Sequence, residues 1–500
     1  MLADALSGPR WNQVSELIAA RTGLHFPPER RADLKRALGE AAPEFGCRDG
    51  DDCANWLLAS PPSREELRKL ARHLTIGETY FFRERPSFNA LASHVLPLLI
   101  HRKRAGDRRL RLWSAACSTG EEAYSLAMLV QQVLPDWRDW NIRILGTDLN
   151  PHSLRKAEAG IYGEWSFRDC PGDLRERFFS PVGDRRHRVR AELRAMVTFG
   201  ELNLAQDAFP SLNNDTHAMD LILCRNLLIY FTPNHARRLI GNLRQALVDD
   251  GWLIVSPSEC SQALFGGFTA VNFPGSVLYR KREPNDVART AEPAFLSADA
   301  LPLPLSASLS DLQASEMLSL PLHPAGPPAA RVDFVAELAA AEDAFARGEY
   351  ADAADRLRPV LSVPADGDVK LRALGMLTRA LANQGVLDEA LRVSVRWIAA
   401  DKLDAAAHYL HAMVLQELGD RAQSRAALQC AVYLQPEFTL AHFALGNHAR
   451  AEARVAEARR HFANAARLLA GLPADSTLPE SAGLTAGRLR EIIVSLGMDT

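Results

Sequence analysis

Cysteine is scarce and scattered in this chain. Seven occur in 500 residues (Cys47, Cys53, Cys117, Cys170, Cys224, Cys260 and Cys430), an odd number with no Cys-x-x-Cys pair. That pattern argues against a disulfide framework and against a zinc site, and for reduced thiols. The glycine fingerprints of nucleotide enzymes are missing too. Neither Gly-x-Gly-x-x-Gly nor a phosphate-cradling P-loop is present, which excludes the common dinucleotide and P-loop classes. No apolar run reaches the roughly 18 residues needed to span a bilayer, and the N-terminus lacks a basic stretch leading into an apolar core. A net charge of −3 carries no nucleic-acid or polybasic membrane signature. The expectation is a cytoplasmic protein with no metal, no nucleic-acid partner and no membrane insertion. What remains is an ordinary globular composition, 47% hydrophobic and 24% charged, long enough for two to four domains.

Periodicity divides the chain. Residues 1–72 read as a helical domain, with apolar residues at three-to-four spacing over 11–20, 29–38 and 64–73. Two of these helices carry basic faces, Arg30, Arg31, Lys35 and Arg36 on one and Arg64, Arg68, Lys69 and Arg72 on the other. Each alone reads as a solvated face; together they suit the steering of an acidic protein partner. Residues 73–283 read as the next domain, in which strands and helices alternate from 110 to 282, with strands at 110–115, 142–147, 196–201, 221–224, 252–256 and 276–281. Such alternation implies an α/β fold, a mainly parallel, doubly wound sheet covered by helices. A charged, turn-rich segment at 162–195 interrupts it and reads as a small inserted subdomain. Residues 284–330 are rich in Pro, Ala, Ser and Leu, the composition of a linker. Over 331–475 the chain turns alanine-rich, and Gly348, Gly385, Gly419 and Ala453 head similar segments at steps of 37, 34 and 34 residues. A period of about 34 with small residues at helix crossings is the tetratricopeptide signature, an all-α arm that presents a groove to partners. The tail, 476–500, contains an apolar-periodic stretch that suits a capping helix.

The chemistry concentrates at strand ends. Leu110 to Ala115 reads as a buried strand, Ala116-Cys-Ser-Thr-Gly120 as a turn without bulky side chains, and Glu121-Glu122 as the start of a helix. A phosphate ligand would want a bare helix N-terminus here. Two carboxylates instead suit a ligand with hydroxyls, an amine or a positive charge, and S-adenosylmethionine has all three. Asp148 ends the next strand, where an acid binds ribose hydroxyls. It is also placed to cap the Pro151 helix, a task Asn150 could equally take. Glu201-Leu-Asn203-Leu204 ends a third strand and suits an adenine contact. Arg225-Asn226 follow four apolar residues at the sheet's carboxyl edge, and Tyr230 extends that edge.

Thr79-Tyr-Phe-Phe-Arg83, Trp113 to Glu122, Asp148, Asn203-Leu204 and Cys224 to Tyr230 resemble, in unbroken order over roughly residues 10–282, the CheR-type chemotaxis-receptor methyltransferases. The resemblance implies a Rossmann-like class I methyltransferase sheet and methylation of chemoreceptor glutamates, as γ-glutamyl methyl esters, with S-adenosylmethionine as cofactor. By position it implies cofactor contacts from Thr79, Arg83, Glu122, Asp148, Asn203, Leu204, Arg225 and Asn226. Arg83 and Tyr230 fall where the family places residues important for catalysis. The partner it implies is the cytoplasmic domain of a methyl-accepting receptor, gripped through the inserted subdomain; the repeats would dock a receptor or another signalling protein. Gly77 departs from the pattern, since enteric members carry an Asn there that touches the cofactor. The loop 179–190 looks shorter than in peptide-dependent members, which implies docking without a receptor tail peptide.

The inventory fits this chemistry. A glutamate, with an unperturbed pKa of about 4.3, is already ionised at neutral pH and needs no general base. No His or Cys stands in a triad-like setting. Arg83 suits orientation of the substrate carboxylate, and Tyr230 a hydrogen bond near the methyl group. Two other readings compete: a repeat scaffold whose methyltransferase fold binds cofactor without turnover, and a methyltransferase for small carboxylic acids. The complete motif set argues against the first, and the basic helices and inserted subdomain against the second.

Overall fold

The computed structural model describes residues 8–75, 77–183, 185–261, 263–281, 334–361, 367–481 and 483–496. The expected linker at 284–330 lies outside them. The N-terminal part is four helices, α1 (Gly8–Thr22), α2 (Arg31–Ala41), α3 (Gly50–Ala59) and α4 (Arg64–Leu74). A full capping box starts α4: Ser63 accepts from Glu66 N–H while the Glu66 carboxylate accepts from Ser63 N–H. The helix α3 escaped the sequence reading because its apolar positions crowd into one short stretch between two turns.

Helices α5 (Arg85–Ala90) and α6 (Leu96–Arg104) lead into the central sheet. Its elements are β1 (Arg109–Ala115), α7 (Glu121–Val133), β2 (Asn141–Asp148), α8 (Pro151–Ala159), a small excursion, and β6 (Val197–Glu201). Then come β7 (Met219–Cys224), α11 (Pro233–Ala246), β8 (Leu247–Ile254), β9 (Phe268–Phe273) and β10 (Ser276–Lys281). The excursion holds β3 (Ile161–Tyr162), α9 (Gly172–Phe178), β4 (Phe179–Pro181), β5 (His187–Val189) and α10 (Ala191–Arg194), with its own antiparallel sheet of order β3-β5-β4. The main sheet runs β6-β2-β1-β7-β8-β10-β9, parallel except for β10 and β9. The strand β9, absent from the sequence reading, buries only Phe268 and lies largely exposed at the sheet edge, too weak a pattern to stand out. Successive strands leave β1 first to one side and then to the other. The switch between β1 and β7 opens a crevice at their carboxyl ends.

Four helix pairs follow: α12 (Phe334–Ala346) with α13 (Tyr350–Val360), α14 (Gly367–Gln384) with α15 (Leu387–Ala400), α16 (Ala405–Glu417) with α17 (Arg421–Leu434), and α18 (Thr439–Ala451) with α19 (Val455–Ala470). A last helix, α20 (Ala486–Ser495), packs on α19. The turn within each pair needs a left-handed residue, supplied by Gly348, Gly385 and Gly419 with φ of 75°, 79° and 88°. In the fourth pair Ala453 adopts φ 57° despite its side chain.

The repeats do not stand free. In α15, α17 and α19 the buried residues form one stripe and the opposite face is exposed. In α14, α16 and α18 burial extends around most of the helix, as for helices with cover on several sides. Part of that cover is the sheet region itself. Tyr409 donates to Asn213 and Gln416 O accepts from Arg143 at 3.0 Å, while from the C-terminal tail Glu480 pairs with Arg379 of α14. At the amino end of the sheet Glu417, almost fully buried, pairs with Arg111, lies 3.4 Å from Arg143 and 3.7 Å from Arg109, and has His217 at 3.6 Å. Burial would raise the Glu417 pKa, but Arg111, His217 and Arg143 outweigh it and hold the carboxyl well below its usual range.

Candidate active site

The crevice is lined by strand ends and closed from above by the N-terminal region. Gly23, at φ 78°, turns the chain out of α1 where a β-carbon would strike the Phe231 ring at 2.4 Å. Leu24 then pairs with Phe231, and His25 N–H donates to Tyr230 O at 2.7 Å. One open cavity of about 830 Å³ has apolar walls from Leu24, Phe26, Leu74, Leu202, Leu204 and Phe231. A second, polar cavity of about 700 Å³ adjoins it and shares Ala116, Ser118, Arg225, Asn226 and Tyr230.

Each candidate residue has a place in this pair. Asp148, Asn203 and Leu204 line the apolar cavity; Thr79, Arg83 and Glu122 line the polar one; Arg225, Asn226 and Tyr230 line both. The helix cap at α8 is Asn150, whose side chain accepts from His152 N–H and Ser153 N–H. Asp148 is therefore not the cap. Its carboxylate accepts from Ser118 N–H and Asn150 N–H, both at 2.8 Å, and binds the first turn to the second strand. Burial raises its pKa, against those backbone donors.

The two acids that open α7 divide their tasks. Glu121 is buried and accepts from Thr119 and from Ser166 of the excursion, so it anchors that subdomain. Glu122 accepts from Ser114 at 2.7 Å and pairs with Arg225 at 3.1 Å. Arg225 is a buried bridge: it also pairs with Glu84 at 2.9 Å and donates to Arg83 O. Asn226 sits at φ 56°, and its side-chain amide donates to Glu84 at 3.3 Å and Ser256 at 3.1 Å. Arg83 donates to Glu78 O at 2.7 Å, and among the described residues no carboxylate lies within 4 Å of its guanidinium. Asn203 turns its amide away from the cavity, donating to Arg21 O at 2.7 Å.

Several residues that matter here were not singled out from the sequence. Glu84 ties Arg225, Asn226 and Ser256 together. Glu259 accepts from the backbone N–H of Asn226, Ser256 and Leu228 at 2.7–2.9 Å and so fixes the 225–230 loop. The Ser-x-x-Glu spacing of Ser256 to Glu259 is a capping-box signal that would have found it. Leu24 and Phe26 had no such signal, and in the sequence Arg30 reads only as part of a basic outer face. The Arg30 guanidinium lies 5.1 Å from the Tyr230 ring and 5.2 Å from the Phe26 ring. Half of the second basic face is committed inward, Arg64 to Asp207 and Glu491 and Arg68 to Glu201, while Lys69 and Arg72 stay exposed.

An apolar slot beside a carboxylate, followed by a polar chamber with a carboxylate and a guanidinium, suits a ligand with a flat aromatic end, hydroxyls and a zwitterionic end. S-adenosylmethionine has that sequence of groups, and the residues present fit it.

Residues 77–272 match the family described as CheR methyltransferase, SAM binding domain. A probable chemotaxis protein methyltransferase of Rhizobium etli is 37% identical over 207 residues, 41% of this chain and 75% of that protein. A probable biofilm formation methyltransferase WspC of Pseudomonas putida is 29% identical over 451 residues, 89% of this chain and 96% of that protein. Among solved structures, a thermophilic TPR protein of Thermus thermophilus shares 18% identity, covers 33% of this chain and 84% of its own, and has a TM-score of 0.27. The repeat assignment rests on the helix pairs and their turn residues rather than on that value.

Proposed function

The chain belongs to the CheR methyltransferase family, which binds S-adenosylmethionine, and on that premise we propose that it methylates glutamate side chains of a receptor-type signalling protein. The observation that carries this reading is the guanidinium of Arg83, without a carboxylate partner among the described residues, in a polar cavity that also receives Tyr230. When bound, the cofactor supplies an electrophilic methyl group on a sulfonium. The protein's own task is then to bind, orient and dry the site. Leu202 and Leu204 would wall the adenine, Asp148 would take the ribose hydroxyls, and Glu122 would take the amino group. Arg225 holds Glu122, Glu84 and the Arg83 carbonyl in register. Arg83 orients the substrate carboxylate, already ionised and in no need of a base, and Tyr230 offers a hydroxyl beside it.

The inserted subdomain and its short β4–β5 hairpin are the receptor-facing surface, used without a tail peptide. Trp165 stays exposed there, stacked under Arg168 at 4.3 Å, and Arg168 also covers Tyr80 at 3.6 Å. The repeats dock partners on their second-helix side, where Val395 and Tyr433 remain exposed. The full-length relationship to a probable biofilm formation methyltransferase supports a receptor that governs surface attachment.

The test is transfer of tritiated methyl from S-adenosylmethionine to cytoplasmic receptor fragments of the same cell by the full-length protein. Base-labile label on one fragment establishes the ester and its acceptor. Cofactor binding without transfer to any fragment would favour the scaffold reading.

A further inference from the structure

The turn that follows β6 supplies Leu202, Asn203 and Leu204 to the apolar cavity. Its shape is set by charge. Asp207 is buried, and its carboxylate accepts from Asn203 N–H at 2.6 Å. The Asn203 carbonyl in return accepts from Asp207 N–H at 2.8 Å. Two elements hold this loop from outside. From the N-terminal region, Arg64 donates to both Asp207 oxygens at 2.6 and 2.9 Å, and Arg68 reaches Glu201 at 2.9 Å.

From the other end of the chain comes Arg488. It lies in the first turn of α20 and is 7% exposed. Its guanidinium donates to Glu201 O at 2.9 Å and to the Glu201 carboxylate at 3.3 Å, and it lies 3.1 Å from Asp207. Both edges of the cofactor-facing turn are thus in the grip of one residue 281 positions away from Asp207. That residue rides on a helix packed against the last repeat. The segment before it reaches across the repeats, with Glu480 on Arg379 and Ser481 O accepting from Ser211 at 3.5 Å.

We propose that Arg488 is a positioning residue for the cofactor site, through which the repeat arm sets the affinity of the catalytic region for S-adenosylmethionine. The inference rests on the reading of the apolar cavity as the adenine slot. Its physical basis is that a planar guanidinium bridging a carbonyl and two carboxylates fixes their spacing, whereas the same carboxylates unbridged repel one another. Any partner that shifts the last repeat then changes cofactor affinity, and by linkage cofactor binding changes partner affinity by the same factor.

The experiment is titration calorimetry of the full-length chain with S-adenosylhomocysteine, with melting temperature measured in parallel. Arg488→Ala should weaken binding about tenfold, within the range of couplings carried by residues remote from a ligand. Arg488→Lys, which keeps the charge and loses the fork, should fall between. Leu357→Ala, which opens the core of the first repeat, at the far end of the arm from α20, should lower the melting temperature and leave the affinity unchanged. Unchanged affinity in Arg488→Ala, or an equal loss in Leu357→Ala, overturns the positioning role. Leu204→Ala separates the premise: if it binds as the wild type does, the slot is misplaced, whatever Arg488 does.

Discussion

At the carboxyl end of the sheet a buried arginine, Arg225, is held between the carboxylates of Glu122 and Glu84; at the amino end a buried carboxylate, Glu417, is held among Arg109, Arg111 and Arg143. The ingredients are the same and the surroundings are not. Beside Arg225 lie two cavities, and the groups it orients face them. Around Glu417 the neighbours are β1, β2, Asp215, His217 and the repeat helix that carries it; a cleft borders Arg111 and Arg143, but the Glu417 carboxylate is turned to the arginines and not to that space. An ion cluster at a ligand crevice arranges groups for chemistry. The same cluster between two bodies of one chain specifies how they dock, since the buried charges are satisfied in one register alone.

The largest effect should come from the amino end. Glu417→Ala leaves two buried arginines, Arg109 and Arg111, and the half-buried Arg143 facing one another and should cost about 3–5 kcal/mol of stability, the usual penalty for breaking a buried pair. Urea unfolding of the full-length chain measures it, and a loss under about 1 kcal/mol would mean that the docking does not depend on this cluster. For the same reason, a chain truncated before the repeats should be less stable than its intact sheet implies.

At the carboxyl end the split should reverse. Arg83→Ala should lower turnover by about 10²-fold, the scale of lost substrate orientation, while cofactor affinity and melting temperature hold. Equal losses in turnover and cofactor affinity would remove the substrate-orienting role.

Acid should also tell the two ends apart. Burial lowers the pKa of His217 and of the repeat histidines His411, His442, His448 and His461, the last from 6.5 to about 4. Below pH 6.5 the unfolded chain takes up protons that the native repeats refuse, so their stability falls with pH down to about 4. Buried Glu121, Asp148 and Glu259 are shifted upward, chiefly by burial, and work with the opposite sign: their contribution grows as pH falls through their raised values. Thermal melts between pH 7 and 5 should therefore show a falling midpoint, and His442→Gln with His461→Gln should flatten the slope. An unaltered slope would assign the acid sensitivity elsewhere.

The smallest effect concerns the turn in the fourth repeat. Ala453→Gly relieves a left-handed alanine and should stabilise by about 1 kcal/mol, read as a modest rise in the melting midpoint.

The parallel sheet and the helix pairs were legible in the sequence, because each rests on a local period that survives in any context, while the inserted excursion stood out as a charged, turn-rich break in that pattern. The residues of the crevice were legible for a related reason: strand ends, small-residue turns and caps are local signals, and a parallel sheet gathers its strand ends at one edge. Asp148 and Asn150 show the limit of that logic. Both could cap α8, and only the packing of the Ser118 turn against β2 decided which one did.

Other features had no local signal at all. Arg64 and Arg68 look like solvent-facing charges by helical period, yet their partners, Asp207, Glu491 and Glu201, come from distant parts of the chain. Glu417 reads as an ordinary last-turn residue of a repeat helix. The cover over the cavity from Leu24 and Phe26 depends on Gly23 passing under Phe231. What the sequence determined alone was the set of elements and the reactive edge they share, since hydrophobic period and turn chemistry act over a few residues. What only the tertiary structure decided was which charges would meet, and hence that the repeats are joined to the sheet rather than hung from it. Ion pairing across hundreds of residues is settled by three-dimensional proximity and by the cost of burying a charge without a partner.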